Sequence, residues 1–385
     1  MLPNAICVSR RSLLVGVLLW ACFVLPATGQ VQRTLSDVHH DLSRPLRDLA
    51  TTAHAQTVVP REAEPVRAIP IPPGMKPAGD PDPVLQRTAA KAPTLLAPTP
   101  GLNFEGLGSG IPGFMVAGAP PDTNGAVGLT QYVQWVNVSF AIFDKTTGAM
   151  TLRPVLGKSL WQGFGGSCES DNDGDPIVLY DKLADRWIFS QFAVRTPDVA
   201  GGLGPFFQCV AVSTTSDATG TYNRYAFQYS AFDDYPKLGV WPDAYYVTFN
   251  MFDPVSDDFT GADACAYDRT AMLAGQAATQ VCFQQGKSIG GLLPSDLDGH
   301  NPPPSGSPNY MLFYGANVLN LFKFHVDFAT PANSTFIGPT VIPVAPFTPL
   351  CGDQGTCVPQ PATTTLLDSL ADRDVSICLP QLWRP

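Results

Sequence analysis

Short apolar runs separated by turn residues recur from residue 101 onward, a pattern typical of β-strands rather than amphipathic helices. Four segments share one layout: an acidic opening marked by Gly or Pro, an aromatic strand, and two further apolar strands. The predicted aromatic strands cover residues 132–137, 186–193, 244–252 and 309–316. The second strands cover residues 139–144, 207–214, 262–268 and 319–327, and the third cover 150–155, 223–229, 279–284 and 334–343.

A repeated unit of about four strands per 50–60 residues is typical of a β-propeller blade. The sequence therefore predicts an all-β, propeller-like fold with about four blades, and a stacked β-sandwich is the alternative. The turn Thr215–Tyr222 resembles a degenerate Asp-box, which joins the last two strands of a sialidase-type blade. The role of such a turn is structural, so this resemblance implies a propeller and no sialidase activity.

The acidic openings of the four segments supply the first candidate chemistry. If each opening leads into the innermost strand of a blade, one carboxylate from each would surround one mouth of the central channel: Asp122, Asp175, Asp234 and Asp296. Like charges held close together either bind a cation or shift their pKa values. They could also serve as the paired carboxylates of glycoside hydrolysis. The alternative is that these residues only cap turns.

The second segment opens with four carboxylates in seven residues around one glycine: Glu169, Asp171, Asp173 and Asp175. Ca²⁺ takes six to eight oxygen ligands, so this stretch is a candidate calcium site. The spacing is not that of an EF-hand loop, because the twelfth position counted from Asp171 is Lys182. A solvated turn whose aspartates cap backbone amides is the competing interpretation.

Composition narrows the class of protein. The 385 residues include 34 Gly and 38 Pro, and only 15% are charged, which disfavours a helical bundle. The net charge of −10 argues against a nucleic-acid partner. The six candidate aromatic side chains are expected in the blade cores because they recur with the repeat, although exposed rings could also stack on sugars: Trp135, Trp161, Trp187, Trp241, Tyr245 and Tyr246.

The N-terminus is typical of an exported protein. Arg10 and Arg11 precede a short apolar run, and small residues at 27–29 offer a cleavage site, so residues 1–29 are predicted to be a signal peptide. Residues 30–100 are predicted to be a proline-rich linker, followed by the repeat domain at 101–373. We expect a secreted, periplasmic or cell-surface protein without a transmembrane span.

An oxidising destination favours disulfides over metal thiolates. Seven cysteines follow the signal peptide, and three bridges are predicted: Cys168 with Cys209, Cys265 with Cys282, and Cys351 with Cys357. Cys378 is left without a partner in this scheme.

The chain also resembles a family of secreted bacterial proteins whose function is uncharacterised. The resemblance covers about residues 120–373 and is carried by four stretches: PPDTNGAVGLTQYVQWVN (120–137), DNDGDPIVLYDKLADRWIFSQF (171–192), DYPKLGVWPDAYYVTFNM (234–251) and GGLLPSDLD (290–298). It implies export and a repetitive β-fold, and it supplies no catalytic residues. Members of the family continue with strand-like sequence after a segment like Leu367–Arg373. Residues 374–385 depart from that pattern, so we hypothesise that they are translated out of frame and that the chain is truncated.

These observations lead to three functional hypotheses. The first is a non-catalytic extracellular binding module, with Ca²⁺ as its candidate stabilising ligand and an unidentified polymer or protein as its partner. The alternative is a glycoside-acting enzyme that uses the carboxylates at the channel mouth. The third is a truncated gene product without function. No G-x-S-x-G or H-E-x-x-H motif occurs in the chain, so nucleophilic and zinc-dependent hydrolysis are not supported.

Overall fold

The computed structural model of the chain describes residues 30–53, 101–118, 121–194, 204–299, 301–346, 356–359, 363–364 and 366–368. The predicted signal peptide, linker residues 54–100, Cys351 and the tail 374–385 lie outside the described residues. Two strands and a helix come first in the chain: β1 (Val31–Ser36), β2 (His39–Leu42) and α1 (Leu46–Ala53).

Four antiparallel sheets then follow one another, and each is built on a meander of four consecutive strands. Sheet 1 contains β3 (Asn124–Val127), β4 (Gln131–Val136), β5 (Ser139–Asp144) and β6 (Met150–Leu156). A 3₁₀ helix (Gly157–Trp161) and α2 (Gly166–Ser170) connect it to sheet 2, which contains β7 (Gly174–Asp181), β8 (Arg186–Ala193), β9 (Phe206–Ser213) and β10 (Tyr222–Tyr229).

Sheets 3 and 4 repeat this plan. Sheet 3 contains β11 (Phe232–Val240), β12 (Tyr245–Phe252), β13 (Phe259–Tyr267) and, after α3 (Arg269–Leu273), β14 (Thr279–Gln284). Sheet 4 contains β15 (Leu293–Pro294), β16 (Asn309–Gly315), β17 (Val318–His325) and, after a 3₁₀ turn (Pro331–Asn333), β18 (Thr335–Pro343). A short pair, β19 (Thr356–Val358) with β20 (Leu367–Asp368), comes last. The predicted strands of all four segments are confirmed to within a few residues.

The four sheets pack face to face in chain order, with their first strands innermost. β3 contacts β7, β7 contacts β11, and β11 contacts β15. Separate apolar clusters fill the interfaces between sheets 1 and 2, 2 and 3, and 3 and 4. This is the arrangement of propeller blades, so the prediction of a propeller-like all-β fold is confirmed. The six aromatic side chains expected in the core are all at most 2% exposed, which confirms that prediction as well.

Turn chemistry explains why the meanders form. Asp144, at the end of β5, accepts hydrogen bonds from the amides of Thr146 and Thr147, and this bonding caps the hairpin turn. Asp253 caps the turn after β12 in the same way, through the amides of Val255 and Ser256. In the turn between β9 and β10, which resembles an Asp-box, Asp217 accepts the amide of Thr219 and the buried Tyr222 donates its hydroxyl to the Ala218 carbonyl oxygen.

The N-terminal segment corrects the predicted linker. Residues 30–53 are not a spacer: β1 pairs with β14 at the outer edge of sheet 3, and β2 pairs with β10 at the outer edge of sheet 2. Half-buried Arg33 forms an ion pair with the buried Asp263 of β13, and Arg224 of β10 pairs with Asp41 of β2. The physical reason is that an outer strand has unpaired backbone groups, which an added strand satisfies.

Two of the predicted disulfides are confirmed. Cys168 of α2 is bonded to Cys209 of β9, and Cys265 of β13 is bonded to Cys282 of β14. The pairing of Cys351 with Cys357 falls on Cys351, which is not described, so it stays a prediction. Disulfides are typical of oxidising compartments. Within the described ranges, no helix has the length and apolarity needed to cross a membrane.

Candidate functional site

Three of the four acidic openings meet at one end of the innermost strands. Asp122 lies two residues before the start of β3, Asp175 is the second residue of β7, and Asp234 is the third residue of β11. Because these three strands are neighbours, the carboxylates come close enough for their charges to interact. We call the group Asp122, Asp175 and Asp234, together with Lys237 of β11, the mouth cluster.

Irregular backbone directs these side chains. The register of β7 against β8 shifts between Gly174 and Ile177, and that of β11 against β12 shifts between Asp234 and Lys237. Each shift contains a proline, Pro176 or Pro236, which has no N–H to donate to the ladder. A bulge of this kind inserts an extra residue and re-aims the side chains beside it. Both bulges therefore lie beside residues of the mouth cluster.

The backbone of the mouth cluster is also conformationally unusual. Asp122 has φ 43°, Asp175 has φ 45° and Tyr235, next to Asp234, has φ 53°. Positive φ is costly for residues other than glycine and is tolerated where the surrounding structure imposes it. A residue with positive φ therefore lies at or next to the mouth aspartate in each of three successive sheets.

Burial and mutual repulsion favour the protonated carboxyl groups. Burial raises the pKa of Asp122 to about 6, with Lys237 lowering it and Asp234 raising it. Burial also raises the pKa of Asp175, and the charges of Asp234 and Asp122 raise it further, to about 8, against the lowering effects of Lys237 and the backbone N–H of Tyr235. Both side chains keep partial solvent access. Near neutral pH, Asp175 therefore keeps its proton, whereas Asp122 releases its proton.

The single lysine of the cluster is held in place locally. The Lys237 ammonium lies 3.5 Å from the centroid of the Tyr235 ring, and it donates a hydrogen bond to the Pro236 carbonyl oxygen at 3.2 Å. The Tyr235 amide donates to Asp234 Oδ1 at 2.9 Å. The bulge thus fixes a cation and a carboxylate on one short stretch of β11.

Asp296 is not part of this cluster. Its Oδ1 accepts the amide of Val240, the last residue of β11, at 2.7 Å. Burial raises its pKa to about 6, and its charged neighbours are Asp298 and Lys182. Because Val240 and Asp234 are at opposite ends of β11, the expectation that four carboxylates surround one mouth does not hold for Asp296. In the fourth segment the acidic stretch follows the first strand instead of preceding it.

The four predicted calcium ligands have different partners. Glu169 accepts the amides of Gly163 and Gly165, while Asp171 accepts the hydroxyl of Ser170. Asp173 accepts the amide of Val194 at 2.8 Å, and Asp175 belongs to the mouth cluster. The structure therefore gives each carboxylate its own role, and calcium binding stays a prediction.

Among the described residues, one group of three side chains has ligand atoms close enough together for a metal: Asp263, Cys265 and Cys282. The two cysteines are bonded to each other, so their sulfurs are not available as thiolates.

The pKa directions distinguish the mouth cluster from ordinary turn caps. Hydrogen bonds from Thr147 lower the pKa of Asp144, and hydrogen bonds from Ser256 and Val255 lower that of Asp253. The pKa values of Asp122 and Asp175 are raised instead. Turn caps favour the ionised form, whereas the mouth cluster favours at least one proton. Perturbed carboxyl groups of the second kind are typical of functional sites.

Sequence reasoning missed two members of this region. Lys237 was not singled out, although the stretch Asp234-Tyr235-Pro236-Lys237 contained the signal: a proline and a lysine directly after an acidic opening. Asp233 was also overlooked. It is fully buried behind the cluster, and burial raises its pKa well above the ordinary value, with further contributions from Asp234, Asp263 and Asp175.

Comparison with solved structures finds carbohydrate-cleaving enzymes. An exo-β-1,3-galactanase from Phanerochaete chrysosporium, in complex with β-1,3-galactotriose, is similar with a TM-score of 0.29 and 11% identity, over 57% of this chain and 62% of the galactanase. The arabinanase of Bacillus subtilis is similar with a TM-score of 0.29 and 10% identity, over 56% of this chain and 79% of the arabinanase. The match thus spans less than two thirds of the galactanase. No protein-family model and no curated protein matches the chain.

These findings correct the first functional hypothesis. We expected a non-catalytic binding module, whereas the similar solved structures are enzymes, which agrees better with the alternative of a glycoside-acting propeller. The resemblance to the secreted bacterial family stays a prediction. At these TM-scores the likeness carries no argument about the reaction, so any chemistry has to be argued from the mouth cluster itself.

Proposed function

We propose that the protein hydrolyses glycosidic bonds at the mouth cluster. The observation that supports this function is the convergence of Asp122, Asp175 and Asp234 from three successive sheets, with the protons shared unequally among them. Glycoside hydrolysis uses two carboxyl groups in different protonation states, one as general acid and one as base or nucleophile. Environments that push two carboxyl pKa values apart supply such a pair.

Asp175 is the proposed general acid. With a pKa of about 8 it holds its proton at neutral pH and can donate that proton to the oxygen of the leaving sugar. Asp122, ionised above about pH 6, is the proposed partner that activates water or attacks the anomeric carbon. Asp234 contributes the negative charge that keeps the proton on Asp175.

The proposed substrate is a polysaccharide outside the cytoplasm. The two disulfides support an oxidising compartment, in agreement with the predicted signal peptide. The acidic mouth favours a neutral sugar, because the carboxylate of a uronic acid would be repelled by the cluster.

Hydrolysis of a panel of aryl glycosides and polymers tests this function. The panel includes neutral pyranosides and furanosides in both anomeric forms, together with β-1,3-galactan and arabinan, and release of nitrophenol or reducing sugar is measured. Asp175→Asn is expected to lower kcat by about 10²–10⁴-fold, because it removes the general acid. The matched control is Asp258→Asn, which changes an exposed carboxylate in the turn after β12 and should retain full activity.

The pH dependence of hydrolysis provides a second test of the proposed function. kcat/KM should follow a bell with limbs near pH 6 and pH 8, corresponding to Asp122 and Asp175. The proposal is wrong if no member of the panel is cleaved, or if cleavage survives unchanged in both Asp122→Asn and Asp175→Asn.

A further inference from the structure

One cation faces two of the mouth carboxylates. Lys237 lowers the pKa of both Asp122 and Asp175, which lie on different sheets. Its side chain is half-buried, and its ammonium is tethered over the Tyr235 ring and to the Pro236 carbonyl. A half-buried cation held by two contacts acts on nearby charges more strongly than a fully exposed surface lysine.

The bulge in β11 explains how Lys237 reaches the cluster. Residues three apart in a regular strand point to opposite faces of the sheet. Asp234 pairs with Asn250 and Lys237 pairs with Thr248, so three steps along β11 correspond to only two along β12. The extra residue restores the alternation and brings Asp234 and Lys237 to the same side. Without the bulge, the lysine and the aspartate could not both face the mouth.

Lys237 sets the net charge of the mouth cluster. With one proton on the three mouth carboxylates, Lys237 leaves the cluster at a net charge of −1, and its removal would leave −2. The charged groups that face this region are Asp122 ahead of β3, Asp175 of β7, and Asp233 and Asp234 of β11. All of these are acidic, so Lys237 supplies the opposing charge among them.

We propose that Lys237 is a positioning residue that allows Asp122 to ionise while Asp175 keeps its proton. The proposal rests on the proposed function, because it assigns the division of acid and base within the same cluster. It also makes a physical claim about the free protein, which can be measured without any substrate. Lys237 does not touch the reacting atoms in this account.

The experiment measures carboxyl titration directly. The full chain is labelled with ¹³C at the aspartate carboxyl carbon, and the mouth resonances are assigned with Asp122→Asn and Asp175→Asn. In Lys237→Met, the midpoint of the Asp122 resonance should move upward by about one pH unit, because an opposite charge at close range shifts a carboxyl pKa by one unit or more. Lys237→Arg should restore the wild-type titration. Lys287→Met, which removes an exposed lysine elsewhere, should leave it unchanged.

The pH profile of hydrolysis gives an independent second test of the role of Lys237. On a cleaved substrate, Lys237→Met should shift the acidic limb of the pH profile upward by a similar amount, and Lys237→Arg should not. Unchanged Asp122 titration in a folded Lys237→Met protein overturns the proposal, and Lys237→Gln replaces that variant if the methionine form does not fold. A shifted titration without hydrolysis of any substrate supports the role of Lys237 and contradicts only the proposed function.

Discussion

Replacing Asp175 by Asn should change stability in a way that depends on pH. Burial, followed by the charges of Asp234 and Asp122, raises the pKa of Asp175 from 3.8 to about 8. Asparagine has the shape of the protonated acid, and its side-chain oxygen can still accept the Tyr235 amide. Below about pH 4, where Asp175 is protonated in both the folded and the unfolded protein, the substitution therefore exchanges one neutral group for another, and we expect a change in the free energy of unfolding of less than about 1 kcal/mol.

The magnitude at high pH follows from linkage. Above about pH 4 the unfolded chain releases the proton that the folded protein retains, so the free energy of unfolding of the wild type falls as pH rises towards 8. One pKa unit corresponds to about 1.36 kcal/mol, so the full displacement sets an upper bound of roughly 6 kcal/mol. Because the three mouth carboxylates share charge, we expect about 2–4 kcal/mol for Asp175 alone. The Asn variant lacks this loss and should be the more stable protein at pH 9.

Urea unfolding followed by tryptophan fluorescence measures this difference at about pH 4 and at pH 9. Asp258→Asn is the control, because an exposed carboxylate should give the same small difference at both values. The reasoning is refuted if Asp175→Asn is less stable than the wild type at pH 9, or if the gap between the two proteins does not change with pH. Either result would mean that the folded protein does not hold the proton on Asp175 more tightly than the unfolded chain does.

Two further predictions concern contacts between distant parts of the chain. Arg33→Met should lower the free energy of unfolding by about 3–5 kcal/mol, because it leaves Asp263 buried and unpaired; Arg47→Met, which removes an exposed ion pair, should cost less than about 1 kcal/mol. Gly239→Ala should cost about 1–3 kcal/mol, because the added methyl group would lie 2.5 Å from the backbone oxygen of Ser295, the residue after β15. Gly286→Ala, with nothing within 4 Å, is its control. Chemical denaturation measures all four, and equal losses within either pair would contradict the reasoning.

The local pattern of the sequence determined much of the fold. Alternating apolar runs and Asp- or Gly-marked turns are short-range signals, and they predicted three strands in each of the four sheets, including β8 and β14 at their observed limits. The recurrence of aromatic residues predicted the buried tryptophans for the same reason, since each repeat must bury one face against its neighbour. Two disulfide pairs followed from chain order.

The tertiary structure decided the features that depend on distant strands. Residues 31–42 have no local signal for the outer edges of two sheets, because an edge accepts a strand through backbone groups that any sequence carries. The end of the innermost strands at which an aspartate lies depends on whether it precedes or follows the first strand, and this excluded Asp296 from the mouth cluster. A one-residue bulge turned Lys237 towards Asp122 and Asp175. The pKa values of the mouth carboxyl groups also depend on the tertiary structure, because several sheets contribute the burial and the charges that shift them.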